Sequence, residues 1–380
     1  MIQAANIQQG GPVMPFTLPE YQSPDFNSPN LVNAPAVKFE PVQKAGVAPH
    51  DYHATSVYPE YFHFGKGKWC LVDESRMDCV VVRGPNDRLK VIEFRNLKVG
   101  DLVAVGRREN GEDGIYVHID AFNFPDYVKE KFAFRSHLTR ETSFSIDYDE
   151  LYDLLKFEQA NGFILWVLGP AVVFDHDSRG AFAALVEAGF VHGLMAGNAL
   201  ATHDLEGALY GTALGQELYA KRSVTMGHYM HLDALNTIRQ IGSIQKAIDQ
   251  KFIENGVMHA VSRNDIPCVL AGSIRDDGPM PEVIADVYQA QDAMRLLTRR
   301  ATTIICLATQ LHAIATGNMT PSYTVTQTGQ VRPVYFYSVD MSEFAVSKLA
   351  DRGSLTARSI LTNVQDFVVT VARGLIGNSK

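Results

Sequence analysis

The chain has 380 residues, 46% hydrophobic and 20% charged, long enough for a large core and more than one domain. Its 34 Lys and Arg stand against 42 Asp and Glu, a formal net charge of −8 that excludes a basic nucleic-acid or anionic-membrane surface. No apolar run reaches membrane-spanning length, and no secretory leader is expected.

Residues 1–50 carry Pro at 12, 15, 19, 24, 29, 35 and 41, which forbids a long helix and predicts an extended arm lying on a neighbouring surface or partly disordered. Residues 51–125 change to short apolar runs, Trp69–Val72, Cys79–Val82, Leu89–Ile92 and Leu102–Val105. Turn chemistries such as Gly84-Pro85-Asn86-Asp87 and Glu109-Asn110-Gly111 separate them. That pattern predicts a small β-domain, barrel-like in closure. Residues 126–160 read as a connector and a helix whose apolar face is Leu151, Leu154, Leu155 and Phe157. Arg135, His137, Arg140 and Glu141 fall in that connector, either as a solvated loop or as a lid.

From residue 161 to 380 the pattern alternates between continuous apolar strands and helices. Strands are expected at Phe163–Leu168, near Val191–Met195, at Ile266–Leu270, Thr303–Leu307 and Val334–Val339, with a sixth at Ser359–Leu361. Such runs predict an α/β fold, a parallel sheet with helices on both faces. Ligands of these sheets bind at the carboxyl ends of the strands. Here those ends carry Gly169, Gly197-Asn198-Ala199, Gly272-Ser273 with Arg275, Asp276 and Asp277, Thr309 to His312, and Asp340. Arg275 and Asp276 could instead form an ion pair that closes a loop. Pro281-Glu282 suits a helix start, with Val283, Ile284, Val287, Tyr288 and Met294 on one side.

Asp340 at a strand end suits the ribose hydroxyls of a nucleotide, or the cap of a following helix. Neither a Gly-x-Gly-x-x-Gly fingerprint nor a Gly-Lys phosphate loop is present. Residues 203–259 hold His203, His228, His231 and His259. His228 and His231, three apart, could share a helical face; the spacing lacks a completed zinc set, and no metal is expected. Cys70, Cys79, Cys268 and Cys306 have no metal-ligand spacing and read as reduced thiols of a cytoplasmic protein.

Several of these segments resemble one family. Gly169-Pro170-Ala171-Val172-Val173, Ala196-Gly197-Asn198-Ala199-Leu200-Ala201, His203-Asp204, Ala208-Leu209-Tyr210-Gly211-Thr212 and Ala271 to Pro279 are similar to the archaeal-type ornithine cyclodeaminases. The same region forms the carboxy-terminal part of the bifunctional arginine dihydrolase/ornithine cyclodeaminase. Gln291 to Arg295, Leu307-Ala308-Thr309, Leu311-His312 and Val339-Asp340 continue the likeness, which spans roughly residues 55 to 375. The resemblance implies a Rossmann-like domain holding NAD, an amino-acid substrate, and conversion of L-ornithine to L-proline and ammonia with no net redox change. It places cofactor contacts on Asn198, Ala199, Asp277, Thr309, Leu311, His312 and Asp340. Asp277, His231 and His312 are the candidate catalytic residues, and Arg275 and His228 the candidate substrate contacts. Where the family usually reads Gly-Gly-His-x-His-His-Leu, this chain has Met226-Gly227-His228-Tyr229-Met230-His231-Leu232. A homo-oligomer is expected. Two other readings stand beside this one: a related NAD enzyme acting on another diamino or imino acid, and a non-catalytic nucleotide-binding or assembly protein.

Overall fold

Alternate residues of the first long apolar run are buried in two different cores, which sets the architecture of the larger domain. In a computed structural model, which describes residues 16–123, 144–276, 278–342 and 355–377, strand β1 is Ile164–Leu168. Ile164, Trp166 and Leu168 enter one core; Leu165 and Val167 enter the other. A strand covered on both faces has no side to leave polar, so its sequence is apolar throughout. Each such side chain contributes about 1.5–3 kcal/mol by leaving water.

The other strands of this sheet are β2 (Gly193–Gly197), β3 (Cys268–Ala271), β4 (Thr303–Leu307), β5 (Tyr335–Asp340) and β6 (Thr356–Leu361). Their spatial order is β3-β2-β1-β4-β5-β6, and every pairing is parallel. The chain builds outward from β1 in one direction, then returns and builds outward from β4 in the other. That reversal lies between β1 and β4, where a doubly wound sheet opens its binding crevice.

Helices fill the crossovers. One core lies beneath α1 (Phe144–Asn161), α2 (His176–Glu187), α3 (Asn198–Tyr210), α4 (Met230–Ile241), α5 (Val257–Arg263) and α8 (Val364–Ile376); the other lies beneath α6 (Val287–Thr298) and α7 (Gln310–Met319). The helix expected from Pro281 starts later. Asp286 caps α6 by accepting from Tyr288 N and Gln289 N at 2.9 and 2.8 Å. Val283 and Ile284 instead run beside β3: Ile284 N–H donates to Leu270 O, and Gly272 N–H to Ile284 O, both at 2.9 Å. β3 is an edge strand, and this short bridge satisfies part of its open ladder.

Residues 16–123 form antiparallel sheets. One has the order Lys38–Pro41, Leu102–Val105, Val80–Arg83, Leu89–Ile92; another has Trp69–Leu71, Glu60–His63, Ile115–Val117. They share a core containing Phe62, Val81, Leu89, Val91, Ala104 and Ile115. The described part of the Pro-rich segment lies along this region. Glu20–Tyr21 pairs with Phe122–Asn123, and Lys38–Pro41 joins the four-stranded sheet. A hairpin from the larger domain, Tyr323–Val325 and Val331–Pro333, pairs with Glu74–Ser75 and clasps the two regions together. Arg332 of that hairpin pairs with the fully buried Glu158 of α1, which also accepts from Thr302 Oγ1 at 2.6 Å.

Candidate functional site

The carboxyl ends of five strands meet. Gly169, just past β1, donates its N–H to Leu307 O at 2.7 Å. A Cβ at Gly169 would lie 1.9 Å from Ala308 O, so only glycine fits this approach. Ala308 itself is left-handed, with φ 46°. Its N–H donates to Val339 O of β5 at 3.0 Å. At the end of β2, a Cβ on Gly197 would lie 2.8 Å from His312 Cε1 of α7. Asn198, the first residue of α3, accepts from Met280 N at 2.9 Å and pins the loop that follows β3. In that loop Asp276 accepts from Ser273 N at 2.8 Å. No Arg275–Asp276 ion pair forms among the described residues. Arg275 is exposed in a turn, and both charges act on His312 instead.

Two helix starts at this rim lack side-chain caps. α3, entered from Gly197, and α7, entered from Thr309, have no capping side chain among the described residues. By contrast Asp175, Asp286 and Asn363 cap α2, α6 and α8. First-turn amides left open in this way are anion sites.

Thr309 and Ala199 are half-buried, whereas Leu311 is 71% exposed. Asp340 ends β5 half-buried, one strand beyond the α7 turn, and accepts from Ser342 N at 2.8 Å. Asp277 lies outside the described residues, as do Arg135, His137, Arg140 and Glu141. His228 and His231 lie in adjoining helical turns but in different surroundings. His228 sits exposed in a turn at Gly227–Tyr229, with its ring 4.3 Å from that of Tyr229. His231 belongs to the first turn of α4 and faces His203, ring centroids 6.0 Å apart, and its Nδ1 is buried with no protein partner.

Burial depresses the His312 pKa below its usual value; Asp276 opposes that shift and Arg275 adds to it. A histidine favoured neutral in the fold adds stability that is complete above the unfolded pKa and is lost as pH falls below it. We expect the His312 imidazole to be neutral at pH 7, with an NMR titration midpoint below 6.5. A midpoint above 6.5 would contradict this placement. The four free thiols are pushed up by burial, Cys79 to about 11 and Cys268 to about 12, which removes them as nucleophiles at neutral pH.

A cleft of about 1220 Å³ lies elsewhere, between the small β-region and α6, framed by Glu74, Glu93, Arg295 and Arg299. Glu93 pairs there with both Arg76 and Arg295. These ion pairs fasten the two regions together, and the strand-end rim remains the place where uncapped helices and titratable groups converge.

A family model described as Arginine dihydrolase ArgZ-like, C-terminal, Rossmann fold matches residues 151–371. The ornithine cyclodeaminase of Methanocaldococcus jannaschii is 40% identical over 347 residues, covering 87% of this chain and 76% of its own. The chain belongs to the ornithine cyclodeaminase family. Within it, the bifunctional arginine dihydrolase/ornithine cyclodeaminase AgrE of Nostoc is 34% identical over 347 residues, which cover 89% of this chain and 46% of AgrE. A solved LOR/SDH protein from Methanococcus maripaludis superimposes with a TM-score of 0.80 at 33% identity, covering 90% of this chain and 98% of that one. The ternary complex of AgrE with ornithine and NAD+ gives a TM-score of 0.56 at 32% identity, covering 92% of this chain and 47% of AgrE.

Sequence reasoning missed one buried carboxylate on α3, the helix that follows Gly197 at the rim. Glu206, fully buried, accepts from His203 Nδ1 at 2.8 Å, Thr212 Oγ1 at 2.9 Å, and Leu214 N and Gly215 N at 3.1 Å. The i, i+3 spacing of His203 and Glu206 on a helix is the signal that could have found the pair.

Proposed function

We propose that this chain is an NAD-dependent ornithine cyclodeaminase that converts L-ornithine to L-proline and ammonia. The observation that carries the reading is the match to ornithine cyclodeaminases over most of both chains, joined to a strand-end rim that fits a dinucleotide. The fit rests on three features: the open amides of α3 and α7, the glycine contacts at 169 and 197, and the carboxylate of Asp340 beyond the α7 turn. When bound, NAD supplies a hydride acceptor that returns what it takes, so the chemistry needs no second redox partner.

The residues divide by position. The α7 amides, with Thr309, Leu311 and His312, are placed for the pyrophosphate, and Asp340 for a ribose. Asn198 and Ala199 follow β2, on the other side of β1 from β4, where the reacting end of an extended dinucleotide would reach. Arg275, beside His312, suits the substrate carboxylate, and His228, Asp277 and His231 complete the nominated substrate and catalytic set. Holding the δ-amine and the α-carbon together gives ring closure its intramolecular advantage. A cytoplasmic location is supported by the four unpaired thiols, and no helix among the described residues is long and apolar enough to cross a membrane. Assembly as a homo-oligomer is part of the same reading.

Incubation of the protein with L-ornithine and NAD should yield equimolar proline and ammonia while absorbance at 340 nm stays flat. Steady accumulation of NADH, or ornithine left untouched across pH, would refute it.

A further inference from the structure

We propose that His203, oriented by Glu206, is the residue that takes up and returns the proton of the cyclodeaminase reaction. This rests on the reading above. Ornithine enters as a cation with two ammonium groups, and proline leaves neutral overall together with ammonium, so the conversion consumes and releases no proton. The α-ammonium must lose a proton to free its lone pair, and the δ-ammonium must lose one before it can attack; the departing α-amine and the ring nitrogen of proline each regain one. A base that accepts a proton from the α-ammonium and gives it back to the departing amine closes the first of these two exchanges.

His203 has the geometry for that task. It lies on α3, five residues beyond Asn198, on the β1–β2 side of the sheet. β2 and β5 are three inter-strand spacings apart, about 14 Å. A dinucleotide anchored at Asp340 and the α7 turn therefore directs its reacting end toward α3. The imidazole is nearly buried, packed edge-on against Phe174 at 5.2 Å, in the loop that follows β1.

Glu206 fixes the tautomer. Its carboxylate accepts from two backbone N–H groups and a hydroxyl and cannot donate while ionised, so His203 Nδ1 must be the donor in that contact. Burial works against the Glu206 charge, yet His203, Gly215 N–H and Thr212 outweigh it and hold its carboxyl below the usual range. The basic lone pair is thereby placed on Nε2, which has no protein partner among the described residues. A buried carboxylate with four donors and no other task is what a fixed tautomer requires.

The titratable groups that face the ring are Glu206 from its own helix and His231 from α4. Lys221 and Asp175, next to Phe174, pair with each other at 2.9 Å. Asp204 is occupied by Arg179. His231, with its ring 6.0 Å away and its Nδ1 without a partner among the described residues, is the second ring of the cluster.

His203→Asn should lower kcat by about 10²–10⁴-fold, with KM for ornithine and NAD affinity by calorimetry within about threefold of the unaltered protein. Glu206→Gln should lower kcat by about 10–100-fold with KM unchanged, because an amide no longer fixes which ring nitrogen of His203 carries hydrogen. In the cofactor-free protein, the imidazole nitrogen NMR signals of His203, assigned through the ring's contact with Phe174, should show hydrogen on Nδ1 and none on Nε2, and Glu206→Gln, whose amide can accept from or donate to Nδ1, should mix the two tautomers. That readout needs no turnover and stands even if His203→Asn folds poorly. Unaltered protein that makes no proline overturns the underlying reading. Unaltered protein that does, with His203→Asn near full kcat or Glu206→Gln without effect on kcat or on the tautomer, overturns this assignment alone.

Discussion

Replacing Asp204 by alanine is expected to cost about 3–5 kcal/mol of folding stability, the usual penalty for breaking a buried charge pair from one side. Asp204 is fully buried on α3 and does two jobs at once. It accepts from Arg179 Nε at 2.6 Å, and it accepts from Val257 N and Met258 N at 3.0 and 2.7 Å. The second job caps α5, whose own N-cap, Gly256, has no side chain to offer. Alanine would leave the nearly buried Arg179 without its counter-charge and its Nε acceptor, holding only Asn255 and a backbone carbonyl, and would leave two helix amides unpaired. Urea unfolding followed by fluorescence would measure the loss. The exposed Asp177→Ala is the control, expected within about 0.5 kcal/mol. A cost below about 1 kcal/mol for Asp204→Ala would show that α5 is not held this way. The effect would reach the site, since His203 and Glu206 flank Asp204 on the same helix.

What the sequence revealed and what it hid follow one physical division. Thr303–Leu307 and Ile164–Leu168 were readable because a strand buried on both faces must be apolar along its length. The rim residues were readable because small and polar groups stand out at the ends of such runs. Family likeness then attached NAD and ornithine to them, which periodicity alone did not. The order β3-β2-β1-β4-β5-β6 was not readable, because no local pattern states which strand pairs with which. The start of α6 was misread for a related reason. Pro281-Glu282 has the chemistry of a first turn, but Ile284 pairs with an edge strand, and that edge is visible only once the sheet exists. Glu206 was overlooked because a carboxylate in a helix is normally solvated; its meaning comes from Thr212, Leu214 and Gly215, brought back by a hairpin. His228 and His231 were paired by spacing, and the spacing could not tell that His231 meets the buried His203 whereas His228 stays exposed.

Gly169→Ala tests the point where the two halves of the sheet diverge. The added methyl would sit 1.9 Å from Ala308 O, a backbone atom, so relief requires the chain to move and not merely a side chain. Overpacking of this kind costs about 1–3 kcal/mol. The displaced residue is already left-handed and is followed directly by Thr309 and the open amides of α7. Those amides act on an anion only if their directions are fixed, so a shift of the 308–312 turn should weaken NAD binding by at least about tenfold, equivalent to about 1.4 kcal/mol. Calorimetric titration with NAD would read the affinity, and thermal unfolding the packing cost. Ala183→Ser, on the outer layer in α2, serves as a comparison that leaves the turn untouched. If Gly169→Ala lowered the melting temperature while NAD bound as before, the α7 turn would not be where the phosphates rest. If both fell together, the close approach of β1 to β4 would be doing two things through one contact: closing the sheet and aiming the helix that receives the nucleotide.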